Sequence, residues 1–189
     1  SILLMDYSEN ILNKAIQEYP FIKQHDPMVT IGEGKGYAET WPVGEIGPPD
    51  SPRPEHFPID RHVIEIRKPG EFSHHDLAGE LLHVDPMSNQ IREDLMGTWS
   101  PKQLKVLEKR ALDYNATLEE GRPVEHAIRN ATDAAMRGYA LKQWPNSINK
   151  ELKYRPEQTK KLEELKTYMT TKASGGTIDK PLNGGMKLI

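Results

Sequence analysis

Between Pro48 and Pro58 the chain reads PPDSPRPEHFP, with prolines at 48, 49, 52, 54 and 58. Each proline fixes its own φ, lacks an N–H and disfavours the helical conformation in the residue before it. No helix can cross this stretch, and a central strand is barred for the same reason. The chain is therefore divided into a short N-terminal part and a longer C-terminal part, joined by an extended, polyproline-like strap.

On the N-terminal side, Ile11, Leu12, Ala15, Ile16 and Tyr19 fall on one face of a helix expected over 6–19, with Ser8 as a cap and Pro20 as its stop. Val29–Ile31 and Gly36–Trp41 read as short strands. The intervening GEGKG lacks the GK[ST] ending of a phosphate loop, and no helical pattern follows it. Beyond the strap, HVIEIR at 62–67 is the best strand: Val63 and Ile64 are β-branched, and Ile64 and Ile66 alternate with charged neighbours. Pro69-Gly70 marks a turn. Ser73 then caps a helix running to about Val84, with Asp76 at its third position, and Asp85-Pro86 ends it.

Ser100-Pro101 opens a helix with Leu104, Leu107, Ala111, Tyr114 and Leu118 as its stripe and Gly121 as its stop. Pro123 opens the next, which runs to Trp144-Pro145. Its small face of Ala127, Ala131, Ala134, Ala135 and Gly138 suits close packing, and Glu125, Arg129, Asp133 and Arg137 read as a ladder of ion pairs along it. A last helix follows Arg155-Pro156 and carries Leu162, Leu165 and Met169. The tail ASGGTIDKPLNGGMKLI has no periodicity. Ordering it costs about 1–2 kcal/mol per residue, so it should order only against another surface.

The expectation is a mostly helical α+β protein with one short sheet. It comprises an N-terminal helix or arm (1–26), a Gly/Pro-rich extended segment (27–60), a helical core (61–172) and an extended tail (173–189).

Composition narrows the function classes. At 189 residues, 36% hydrophobic and 28% charged, the chain is lean for a self-sufficient globule, which points to contacts with partner chains. A net charge of -3 gives no basic field for nucleic acid or an anionic membrane. The absence of cysteine excludes disulfides, thiolate zinc sites and cysteine nucleophiles. No apolar run approaches the roughly 20 residues of a membrane helix. SILLMDYSEN lacks the basic start of a signal peptide, and Ser1 fits a start exposed by removal of an initiator methionine. There is no GxSxG, and no aromatic-basic interleaving suggests base stacking.

The chemistry concentrates in HHDLAGELLH, residues 74–83. In the zinc-peptidase motif HExxH, two histidines four apart on one helix face hold the metal, and the glutamate serves its water. Here Gly79 stands where the first histidine belongs, Glu80 takes the general-base position and His83 the second-ligand position. His75 lies one turn before Gly79 on the same face. Asp76, Glu80 and His83 also share a face at spacings of four and three. Glu-x-x-His is half of a carboxylate-bridged iron site, but no second copy exists in the chain. The candidate metal ligands are thus His83, His75 and Asp76, with Glu80 catalytic if the centre is active. Any further ligand is expected from the helix carrying Glu125 and Asp133. Ordinary helix electrostatics explains the same pattern, with acids toward the N-terminus and His83 toward the C-terminus. No cofactor is expected, zinc being the alternative. Gly79→His should be tolerated by the helix, since histidine has the better propensity.

The order of motifs carries a resemblance. YAETWPVGEIGPPDSPRPEHFPID, the strand HVIEI, the helix with DLAGELLH, SPKQL and the ending MRGYALKQWP together resemble small proteins of tailed bacteriophages that look like degenerate minimal zinc-peptidase domains and accompany virion or ejection proteins. The likeness spans 37–145. It implies a zincin-like scaffold in which strand 62–67 lines the cleft, Glu80 matches the base and His83 a ligand, with Gly79 departing from the pattern. It also implies a structural, virion-associated function in a tail, connector or ejection apparatus. Its partners would be other virion proteins or copies of itself, with no specific nucleic acid and no membrane segment, in the virion or in the host cytoplasm during assembly. The alternatives are an active zinc hydrolase cutting virion proteins or cell-wall peptides, and a small intracellular adaptor.

Overall fold

The computed structural model describes residues 2–34, 38–42, 62–116, 123–141, 147–171, 178–182 and 186–188. The proline strap at 48–58 lies outside the described residues. The elements are α1 (Ile2–Glu18), α2 (Ile22–His25), β1 (Met28–Ile31), β2 (Ala38–Pro42), β3 (His62–Ile66), α3 (His74–Leu82), α4 (Pro86–Met96), α5 (Pro101–Ala116), α6 (Val124–Ala140), α7 (Ser147–Glu151), α8 (Pro156–Thr170), β4 (Ile178–Leu182) and β5 (Met186–Leu188). The protein is α+β and mostly helical, as its periodicities predict. No helix among the described residues is long and apolar enough to cross a membrane. The chain divides into two compact units. The first holds residues 1–81, 169–177 and 188–189, and the second 82–168 and 178–187.

In the first unit, β3 is the central strand of a three-stranded sheet ordered β1-β3-β2. It runs parallel to β1, with Val29 opposite Ile64, and antiparallel to β2, with Thr40 opposite Ile64. Val63, Ile64 and Ile66 are all buried, so β3 hides both faces. Tyr7, on α1, places its hydroxyl 2.8 Å from the Pro69 carbonyl and 3.1 Å from that of Phe72. This bond ties α1 to the turn that leads into α3. The Tyr19 amide donates to the Ala15 carbonyl at 2.7 Å, so the helical ladder of α1 extends onto Tyr19 before Pro20 stops it.

In the second unit, Asp85-Pro86 does more than end α3: it begins α4, a helix the sequence reading passed over. Asp85 is the N-cap, its carboxylate accepting from the Ser88 amide at 3.0 Å and from the Tyr168 hydroxyl at 2.9 Å, and Pro86 stands where a missing N–H costs nothing. The buried face of α5 consists of Gln103, Leu107 and Ala111. Leu107 and Ala111 hold their expected places, while Leu104 and Tyr114 are exposed and Gln103 joins the buried face; Leu118 lies outside the described residues. The bonds of Gln103 account for its place there. Its amide and that of Gln158 on α8 exchange hydrogen bonds at 2.8 and 3.1 Å, while the Ser100 amide donates to the Gln103 oxygen at 2.9 Å. A buried polar residue is stable when so fully paired.

On α6 the small face packs as expected at Ala127, Ala131, Ala134 and Ala135, which are buried, while Gly138 is half-buried. The charges differ from the expected ladder. Arg129 pairs with Glu93 at 3.0 Å and Asp133 with Arg92, so both reach α4 instead of their own helix. Interhelical geometry sets these pairs, and spacing along one helix does not reveal it. The tail, expected to lack regular structure, contributes β4 and β5, which form a two-stranded sheet.

Candidate metal centre

The helix that carries the histidines begins as its sequence predicts. The Ser73 amide donates to the Asp76 carboxylate at 2.7 Å, and the Asp76 amide donates to the Ser73 hydroxyl at 3.2 Å, a reciprocal capping box. The Ser73 hydroxyl adds a third bond to the same carboxylate oxygen at 3.0 Å. Asp76 is therefore committed to starting α3.

The cap sets the direction of the two residues inside it. His74 and His75 face the end of α1, 56 positions earlier in the chain. His74 Nε2 lies 2.6 Å from Glu18 Oε2, and His75 Nδ1 lies 3.8 Å from Glu18 Oε1. The two imidazoles are tilted stacks with centroids 4.0 Å apart. Tyr19 closes the group: its hydroxyl is 2.6 Å from His75 Nδ1 and donates to Glu18 Oε1 at 3.3 Å. All four residues belong to the first unit.

Burial alone would raise the Glu18 carboxyl. The hydrogen bond from His74, the charges of His75 and His74 and the Tyr19 hydroxyl outweigh it and hold the carboxyl below its ordinary range. The Tyr19 phenol moves the other way. Burial pushes it well above the usual tyrosine range, and the adjacent Glu18 charge and hydrogen bond push it further.

Glu18, His74 and His75 each offer one ligand atom within 4.8 Å of the others, and they are the one such trio among the described residues. Two imidazole nitrogens and a carboxylate oxygen form a donor set for zinc and its first-row neighbours. Calcium and magnesium prefer all-oxygen shells.

Of the residues singled out from sequence, His75 belongs to this trio and Asp76 serves the cap. Glu80 is half-buried on α3, outside the trio. His83 lies past the last residue of α3 and faces Asp133, with Nδ1 3.6 Å from the carboxylate. That carboxylate is already held by Arg92 Nη1 at 3.2 and 3.3 Å, and a guanidinium there repels a cation. The acid expected from α6 thus does reach His83, but as part of a buried ion pair. Gly79 is buried in the middle of α3. Gly79→His, acceptable to helix propensity alone, would force an imidazole into this packing and is expected to cost about 1–3 kcal/mol. Urea unfolding measures the cost, and wild-type stability in that variant would show that the site has room for a ring.

Glu18, Tyr19 and His74 were not singled out from sequence. The Glu-Tyr pair just before Pro20 and the His-His pair just after a capping serine are both visible in the sequence. Their meeting is not, because it depends on how α1 folds back across the sheet. Set against known proteins, the chain matches no family model, no curated protein and no solved structure.

Proposed function

We propose that the chain is a metal-binding structural protein in which Glu18, His74 and His75 hold one divalent ion of the zinc type and fasten the end of α1 to the start of α3. The observation that carries this reading is the convergence of the three ligand atoms within 4.8 Å. The reading takes up the zinc alternative in place of the expectation of no cofactor. The wider role we propose is the one implied by the resemblance: a virion-associated protein of a tailed phage that works by packing against copies of itself or neighbouring virion proteins. The lean composition supports a partner-dependent protein, as do the exposed apolar side chains Leu104, Leu112, Tyr114 and Val124 of the second unit.

A second reading, a zinc hydrolase, has one observation in its favour: two histidines and a glutamate also form a catalytic zinc set with an open position for water. Glu80 stands outside the trio, so that reading requires a base from elsewhere. Turnover of a peptide or ester substrate by the zinc-loaded protein would favour it over the structural one.

Calorimetric titration of the full chain with zinc chloride tests the metal reading. One ion per chain is expected. Glu18→Gln and His74→Gln should each weaken binding by more than the roughly 10–100-fold typical of losing an outer-shell partner. His83→Gln should bind as the wild type does. At a free zinc concentration of 100 Kd the wild type should gain about 2.7 kcal/mol of stability. Absence of saturable binding, or equal binding by all three variants, refutes the proposal.

A further inference from the structure

The metal reading leaves Tyr19 without a role, and its geometry supplies one. We infer that Tyr19 gates the metal centre: its hydroxyl sits against His75 Nδ1 in the metal-free protein and gives up that contact to the ion, keeping its bond to Glu18. The inference rests on the proposed metal site and deepens it.

Tyr19 has little freedom to do otherwise. Its side chain is buried at 3% exposure, its amide is held by the Ala15 carbonyl at 2.7 Å, and its ring meets His75 edge-on at 5.7 Å. The hydroxyl's single proton goes to Glu18 Oε1 at 3.3 Å, and its oxygen lies against His75 Nδ1 at 2.6 Å.

His75 Nδ1 is the nitrogen that faces Glu18, at 3.8 Å. A hydroxyl 2.6 Å from that nitrogen must leave before an ion can bind there. Its bond to Glu18 Oε1 survives as an outer-shell bond to a ligating carboxylate. The short contact is lost and only the long one is kept, so the hydroxyl competes with the ion. Tyr19 is thus a positioning residue that lowers affinity and keeps the metal-free centre closed.

Tyr19→Phe keeps the ring and its burial and removes only the hydroxyl. Zinc should bind this variant about 3- to 10-fold more tightly, the equivalent of one ordinary hydrogen bond no longer opposing the ion. The metal-free variant should be less stable than the metal-free wild type. A merely structural tyrosine would lower stability without raising affinity. In the wild type, nitrogen-15 NMR of His75 should show Nδ1 hydrogen-bonded without zinc and as a metal ligand with it, a readout that needs no variant to fold. Wild-type zinc binding with unchanged or weaker binding by Tyr19→Phe overturns the gate and leaves the metal site standing. So does a zinc-loaded wild type in which His75 Nδ1 is still hydrogen-bonded to Tyr19. A wild type that binds no zinc removes the metal site and the gate together.

Discussion

Arg92→Met is expected to cost the second unit about 3–5 kcal/mol, because it strands the Asp133 carboxylate in the interior. Arg92 and Asp133 are 5% and 8% exposed, and one guanidinium nitrogen lies 3.2 and 3.3 Å from the two carboxylate oxygens. Coulomb attraction between two such groups barely exceeds the loss of their hydration, so the pair itself adds little net stability. Removing one partner is a different matter, since the other keeps its desolvation penalty and loses its compensation. His83 is a poor replacement at 3.6 Å and 36% exposure. The double variant Arg92→Met, Asp133→Leu removes both charges and should recover most of the loss. Urea unfolding of the single and double variants makes the comparison. If the single variant unfolds within about 1 kcal/mol of the wild type, Asp133 is not buried as a charge and the account of this pair is wrong.

This pair marks the limit of what the sequence discloses. Arg129, Asp133 and their neighbours were legible as helical charges, and the spacing of four suggested that they pair along α6. A single sequence contains nothing that places α4 beside them. Indeed α4 was itself overlooked, although Asp85, Pro86, Ile91 and Leu95 carry the cap, the first-turn proline and the apolar spacing of a helix. Asp85-Pro86 ends one helix and begins another, and reading it only as a stop hid the second event. Local chemistry was read more reliably. The Ser73–Asp76 box, the Ser100-Pro101 start and the strand expected over 62–67 all follow from neighbours within four residues, and all are present, the strand as His62–Ile66.

The metal trio falls between these cases. Of its members the sequence singles out His75 alone, on a helix face that runs toward Gly79 and His83. The structure instead turns His75 toward α1, because Asp76 is spent on the cap and Gly79 is buried. Position along a helix says which residues share a face. It does not say what that face meets.

The second large effect is expected at Leu162. On α8, Gln158, Leu162, Leu165 and Met169 follow one another at helical spacing, and each is 0% exposed. The sequence pattern identifies the three apolar members, and the structure adds the reason α8 keeps its register. The Gln158 oxygen accepts from the Arg155 amide at 2.9 Å, and its amide nitrogen reaches the Thr98 carbonyl at 3.1 Å, pinning the first turn before the leucines pack. Leu162→Ala removes side-chain carbons from a site fixed at that end, so the neighbouring atoms cannot close the gap fully. A loss of about 2–5 kcal/mol is expected. Leu112→Ala is the matched control, since Leu112 is 52% exposed and its side chain already meets water. That change should stay within about 0.5 kcal/mol of wild type. Chemical denaturation of the two variants side by side separates burial from the chemistry of the substitution, which is identical. Equal losses at the two positions would show that α8 does not carry the core of its unit, and that the glutamine at its start holds a helix with nothing to hold it against.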